Sequence, residues 1–179
     1  ITVDGAEGGT GAAPIVFSNH VGMPWEKALI FVVDTLVAYD LKQHVKVLTA
    51  TKIFTAFSIF HALCLGADVC STARGMMLAL GCIQSLSCNT DRCPSGVATT
   101  NAARNRGLVV EDKWRRVRNY QQETVKEFLE IFAAAGCRSL SELNRRLVYV
   151  NVDSGLHSYE DIYPMPRPGE RLDGAAPEK

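Results

Sequence analysis

VKVLTATKIFTAFSIFHALCLGADVCSTARG, residues 45–75, decides the fold. Val45-Lys46-Val47-Leu48-Thr49 reads as a short strand, and Thr55 is an N-cap for a helix running to about Leu65. Gly66 is placed to end that helix. Ala67 to Ser71 reads as a second strand, and Thr72-Ala73-Arg74-Gly75 as the loop after it. Working outward, Ile1-Thr2-Val3 looks like the end of a buried strand running into the glycine-rich loop Asp4 to Gly11. Pro24 suits a helical first turn, and Ala28, Leu29, Val32, Val33, Leu36 and Val37 recur at helical spacing through Leu41. Strand–helix–strand–helix–strand with short connections is the signature of a parallel α/β sheet or barrel. A domain that opens on a strand end and a loop reads as a fragment whose first half lies elsewhere.

Beyond Gly75 the alternation stops. Met76 to Gln84 looks helical, and an irregular cysteine-bearing segment follows. Glu111 to Ala135 forms a long amphipathic helix, with Trp114, Val117, Tyr120, Val125, Phe128, Leu129 and Phe132 able to line one side. Ser139-Leu140-Ser141-Glu142 has the capping-box form for a further short helix. These signals divide the chain into 1–105, with the cysteine loop at 82–93, a helical extension at 106–150, and a proline-rich, poorly structured tail at 151–179.

The chain has 179 residues, enough for one domain with a hydrophobic core. Lys plus Arg and Asp plus Glu are 19 each, so no global charge draws it to nucleic acid or an anionic membrane. No apolar stretch reaches the roughly 20 residues a spanning helix needs, and no signal-peptide pattern is present, so a cytoplasmic location is expected.

The six cysteines are too sparse for a disulfide scaffold, but Cys82, Cys88 and Cys93 fall within twelve residues. The spacing is Cys-x5-Cys-x4-Cys followed by Pro94. Zinc commonly takes four ligands in more closely spaced pairs, and no local histidine supplies a fourth. Iron–sulfur chemistry fits better. Three thiolates match the three irons of a [3Fe-4S] centre, one apiece, whereas a [4Fe-4S] centre would need Cys70 or Cys64 brought near. Three small core cysteines are the plainer reading, and a polar loop with no hydrophobic period suits it poorly. Cys64, Cys70 and Cys137 lie in apolar contexts and read as core. His20 and His44 carry no assignable role, and Trp25 reads as a packing residue.

The stretch Asp4-Gly5-Ala6-Glu7-Gly8-Gly9-Thr10-Gly11-Ala12-Ala13-Pro14 resembles the glycine-rich loop of the FMN-binding domain of glutamate synthases, and so does Gly22-Met23-Pro24-Trp25-Glu26. Ala79-Leu80-Gly81-Cys82, Cys88, and Asp91-Arg92-Cys93-Pro94-Ser95-Gly96-Val97-Ala98-Thr99 resemble the family's [3Fe-4S] segment. The likeness runs in order from Ile1 to about Val150 and is nearest to the short bacterial forms. It implies the C-terminal portion of a (β/α)8 barrel, about strands 6–8, followed by an iron–sulfur loop and a helical extension. In such barrels the loops after strands seven and eight commonly bind phosphate. The resemblance thus implies Gly8, Gly9 and Thr10 on the flavin and substrate side, and Thr51, Lys52, Ala73 and Arg74 around the FMN phosphate. Cys82, Cys88 and Cys93 would hold the cluster.

The implied reaction takes electrons from a reductase subunit or ferredoxin through the cluster to FMN. Hydride then reduces 2-iminoglutarate, formed from 2-oxoglutarate and ammonia or glutamine-derived ammonia, to L-glutamate. No catalytic acid or base is assigned; the substrate-side group belongs to the absent N-terminal half of the barrel. Two rival readings are an N-methylglutamate-synthase-like amine transfer enzyme and an electron-transfer or structural subunit that has lost flavin. The latter rests on Thr51, which stands where the family has glycine. A Cβ there narrows the backbone approach and disfavours φ > 0, which weakens the expectation of tight FMN binding. Ser58 and His61 also replace the acidic and basic residues usual in the following helix.

Overall fold

The computed structural model describes residues 1–7, 13–153 and 155–172, apart from the side chains of residues 15, 18 and 19. Strand β1 (Thr2–Val3) is followed by α1 (Ile15–His20) and α2 (Trp25–Ala38). Then come β2 (Leu48–Thr49), α3 (Ala56–Cys64), β3 (Val69–Cys70) and α4 (Arg74–Leu80). The chain continues with α5 (Ala102–Asn105), α6 (Val110–Ala134), β4 (Tyr149–Val152), β5 (Gly155–Ser158) and α7 (Tyr159–Ile162). The first three strands form one parallel sheet in the order β1-β2-β3, with Val3 opposite Thr49 and Thr49 opposite Cys70. A parallel sheet needs helical crossovers, which α2 and α3 supply. This is the expected mixed α/β architecture, although each ladder is shorter than the apolar runs suggest.

Local chemistry sets the helix boundaries. Thr55 caps α3: its hydroxyl accepts from Ser58 N–H at 3.1 Å, and the Ser58 hydroxyl accepts from Thr55 N–H at 2.9 Å. Ser58 therefore does capping work here. Gly66 follows with φ +106°, and a Cβ there would come within 2.7 Å of Val33 Cγ1. Both the conformation and the close approach of α2 require glycine. The core lies between the sheet and these helices, built from Leu29, Ile30, Val33 and Leu36 of α2, Val47, and Phe60, Ala62 and Cys64 of α3.

Helix α6 packs on α3 and α4. Its inward face carries Val117, Tyr120, Thr124, Phe128 and Ile131, while Trp114, Val125 and Leu129 are exposed. The expected apolar side thus splits in two. A helix of 25 residues outruns the two short helices beneath it, so packing selects one stripe and leaves its neighbour in solvent.

Residues from 151 on were expected to be poorly structured, yet β4 and β5 form an antiparallel hairpin and Ser158 starts α7 with a capping box. Tyr159 is buried in the core. Arg145, fully buried, pins this region. Its guanidinium donates to Asp34 Oδ1 at 2.5 Å, to Asp34 Oδ2 at 3.3 Å and to the Tyr163 carbonyl at 2.8 Å. Among the described residues no helix is long and apolar enough to cross a membrane.

Candidate functional site

Parallel strands bring their C-terminal ends to one edge of the sheet. Asp4-Gly5 follows β1, Ala50-Thr51-Lys52 follows β2, and Ser71 to Gly75 follows β3. Ligands of open α/β sheets and barrels bind outside such ends.

Thr51 joins the first two loops. It is buried; its hydroxyl donates to Asp4 Oδ1 at 2.7 Å and accepts from Gly5 N–H at 2.5 Å. Thr51 is not among the positive-φ residues; Lys52, exposed, has φ +46°. The left-handed conformation therefore falls one residue later than the missing glycine suggested. Thr51 adds a cross-loop tie where its Cβ was expected to obstruct.

Two threonines at these strand ends carry hydroxyls with no partner. Thr49 Oγ1 and Thr72 Oγ1 are both buried and unpaired. A buried hydroxyl without a partner is costly, about 1–3 kcal/mol, and a polar ligand would relieve it. Ala73 is the N-cap residue of α4 and Arg74 its first helical residue. Cations at 52 and 74 flank the edge with the orphaned hydroxyls, so the donor chemistry suits a phosphate-bearing cofactor. Gly8, Gly9 and Thr10 lie outside the described residues.

The two glycine-bearing motifs at 4–14 and 22–26 meet in space. Ala6 N–H donates to Met23 O at 2.8 Å, and Trp25 N–H donates to Glu7 Oε2 at 3.0 Å. The Trp25 ring packs edge-on against His61, with centroids 5.5 Å apart. His61 is also flanked by Tyr159, whose hydroxyl donates to Glu26 Oε2 at 2.8 Å. Burial lowers the His61 pKa, partly offset by Glu26 nearby. This cluster and the orphaned threonines escaped the sequence reading. The available signal was three small residues, Val47, Thr49 and Thr51, at strand period: two polar groups on a buried face.

The cysteine segment begins at the left-handed cap Gly81, φ +107°. Cys82 and Cys88 are half-buried, and Cys93 is buried. Cys93 Sγ lies 3.4 Å from Ser95 Oγ, and the N–H groups of Ala98, Ser95 and Val97 also turn toward it. The Ser95 hydroxyl first, then these N–H groups, pull the thiol down to about 7. Burial instead pushes Cys64 and Cys70 up to about 12, as core thiols. Asp91 closes the loop by accepting from Thr100 N–H at 2.7 Å and the Thr99 hydroxyl at 2.9 Å. Gln84, Leu86 and Asp91 all have positive φ, a conformation that costs an L-residue roughly 1–2 kcal/mol. Three thiols on one loop have the donor chemistry of an iron–sulfur centre. Their arrangement does not complete it: among the described residues no three His, Cys, Asp or Glu groups are gathered closely enough to hold a metal ion.

The comparisons bear on both halves of this picture. A family described as a conserved region in glutamate synthase matches residues 1–138. The chain is 39% identical over 167 residues to the glutamate synthase large subunit-like protein YerD of Bacillus subtilis, covering 89% of this chain and 32% of that protein. It is 36% identical over 143 residues to the archaeal glutamate synthase (NADPH) of Methanocaldococcus jannaschii, covering 80% of this chain and 28% of that protein. It is also 35% identical over 144 residues to the ferredoxin-dependent glutamate synthase of Antithamnion sp., covering 80% of this chain and 9% of that protein. The chain spans a third or less of the length of these relatives. The family match takes in all three strand-end loops and the cysteine segment together, and the chain belongs to the glutamate synthase family.

Proposed function

We propose that this chain is the C-terminal part of a (β/α)8 barrel, about strands 6–8, in a glutamate-synthase-type oxidoreductase that forms L-glutamate from 2-oxoglutarate and ammonia, either free or derived from glutamine. The observation that carries this reading is the convergence of Asp4-Gly5, Ala50 to Lys52 and Ser71 to Gly75 at one sheet edge, with the buried, unpaired hydroxyls of Thr49 and Thr72 there. Residues 1–105 are the barrel portion and 106–150 its helical extension. The remaining strands come from the preceding part of the protein, and the location is cytoplasmic.

When bound, FMN supplies the hydride that reduces 2-iminoglutarate. Lys52, Arg74 and the backbone of Thr51 and Ala73 serve the phosphate; Gly8, Gly9 and Thr10 let the backbone approach the flavin and substrate side. Thr51, through Asp4 and Gly5, fixes the spacing of the two loops. We place the [3Fe-4S] cluster on Cys82, Cys88 and Cys93, with a reductase subunit or ferredoxin as the electron source. Holding it requires segment 82–93 to close further, because the three sulfurs are not gathered here.

The test is full-length protein purified without oxygen. Flavin absorbance and the EPR signal of an oxidised three-iron centre are expected together. Cys88→Ser should lose iron and keep flavin. Normal iron in that variant overturns the ligand assignment, and the absence of flavin overturns the reading of the strand-end loops.

A further inference from the structure

Helix α6 is divided by charge at its midpoint. Residues 110–122 hold Lys113, Arg115, Arg116 and Arg118 against Glu111 and Asp112, a net charge of +2. Residues 123–134 hold Glu123, Glu127 and Glu130 against Lys126, a net charge of −2. The helix dipole favours acidic groups toward the N-terminus and basic groups toward the C-terminus, so helix stability does not account for this order. Contacts within the chain do not account for it either. Among the described residues the only ion pair on α6 joins Lys126 to Glu123 at 3.8 Å, and those side chains are 67% and 70% exposed.

The same helix carries an uncovered apolar stripe. At 3.6 residues per turn, Trp114, Arg118, Val125, Leu129 and Phe132 share one face, beside the face that packs on α3 and α4. Trp114 is 48% exposed, Val125 44% and Leu129 56%. The Phe132 ring ties the stripe to the inward face, with its centroid 5.9 Å from that of Phe128. The Arg115 guanidinium lies over the Trp114 ring, 5.7 Å from its centroid. A uniformly acidic partner, or a nucleic acid, would match the first half of the helix and be repelled by the second. The partner that matches both halves is a helix with the opposite charge order, and α6 turned end for end has that order.

We propose that this stripe is the interface of a two-fold dimer, in which α6 packs antiparallel on α6 of a second copy. A register that sets Trp114 against Leu129 of the second copy also sets Arg118 against Val125, with the two-fold axis between Gln121 and Gln122. Arg115 and Glu130 lie on the same flank of the stripe, and this register brings each opposite the other. A two-fold interface makes every such contact twice. The Arg118 stem covers Val125 while its guanidinium stays in water. A parallel pairing would instead set cations against cations. One helix pair lies at the low end of specific interfaces, about 1,200 Å² of total buried surface, so a dimer that dissociates at micromolar concentration is expected. Leu129 then serves association and not the stability of the single chain.

The experiment is analytical ultracentrifugation of the full-length protein at about 1–100 µM, in about 50 and about 300 mM NaCl. A reversible monomer–dimer equilibrium is expected, weaker by about threefold or more at the higher salt. Leu129→Ala should weaken it about tenfold or more, because each copy loses an anchor. Leu156→Ala, at a 69% exposed apolar position in β5, should leave it within about twofold. Arg115→Glu and Glu130→Arg should each weaken it about tenfold by setting like charges together. The double variant Arg115→Glu/Glu130→Arg should return to within about threefold of the parent, which loss of folding in either single variant could not produce. A protein that stays monomeric throughout, or a dimer indifferent to Leu129 and Arg115, overturns the proposal. Failure of the double variant to recover overturns the antiparallel register. A monomer that Leu129→Ala destabilises would mean that the same chain covers the stripe, and that also overturns it. Flavin and iron play no part in the readout, so this proposal and the function proposed above fail separately.

Discussion

Thr51 and Lys52 show how much one position can mislead. The absent glycine at 51 was legible, but its meaning was not, because φ is a property of the folded loop. With the hydroxyl bridging Asp4 and Gly5, Thr51→Val should lose about 0.5–1.5 kcal/mol by removing both hydrogen bonds of the bridge. Lys52→Gly relieves the strained conformation and should hold or raise stability by up to about 1 kcal/mol. Urea denaturation of the two variants separates these outcomes; equal destabilisation would contradict the bridging role. Asp68 gives the pH-dependent counterpart. Burial alone would raise its pKa, but hydrogen bonds from Lys42 at 2.7 Å, Val47 N–H at 2.8 Å and Lys46 at 3.2 Å outweigh burial and hold it below the ordinary value. A lowered folded-state pKa contributes stability above the unfolded value, about 3.9, and that contribution disappears as pH falls through the folded value. Asp68→Asn should therefore be less stable than the parent at pH 7, and the difference should shrink as pH falls below the unfolded value and through the folded one in acid unfolding.

At the scale of elements, helices with strong end signals were legible and strand extents were not. Thr55 and Gly66 bracket α3 as their chemistry requires. The run 45–49 supplies only Leu48 and Thr49 to the ladder, because pairing depends on how far neighbouring strands overlap. The hairpin at 149–158 carried its own signal: alternation through Val152, then Gly155, whose φ is +120°. The prolines downstream obscured it, since their composition says nothing about the ten residues before them. Two measurements probe the elements. Gly66→Ala should destabilise by about 2 kcal/mol or more, through strain and collision with Val33. On α6, Phe128→Ala should cost about 2 kcal/mol or more, while the exposed Leu129→Ala stays within about 0.5 kcal/mol. Equal losses at 128 and 129 would mean that both stripes are covered.

For the molecule as a whole, Arg145 links parts that are remote in sequence. Its neighbours include Asp34, whose carboxyl burial raises in pKa more than the arginine lowers it. Asp34→Ala strands a fully buried guanidinium and should cost about 3–5 kcal/mol, with residues 163–172 becoming open to proteolysis before the sheet. Retention of parental stability would show that the Tyr163 carbonyl suffices as the counter-group. The same pairing has a temporal side. Asp34 and Arg145 are 111 positions apart, so at about 5–20 residues per second a ribosome completes α2 some 5–20 seconds before its guanidinium exists. Through that interval the nascent first crossover can collapse but cannot lock, and a chaperone that shelters short-lived apolar surface would find its client there.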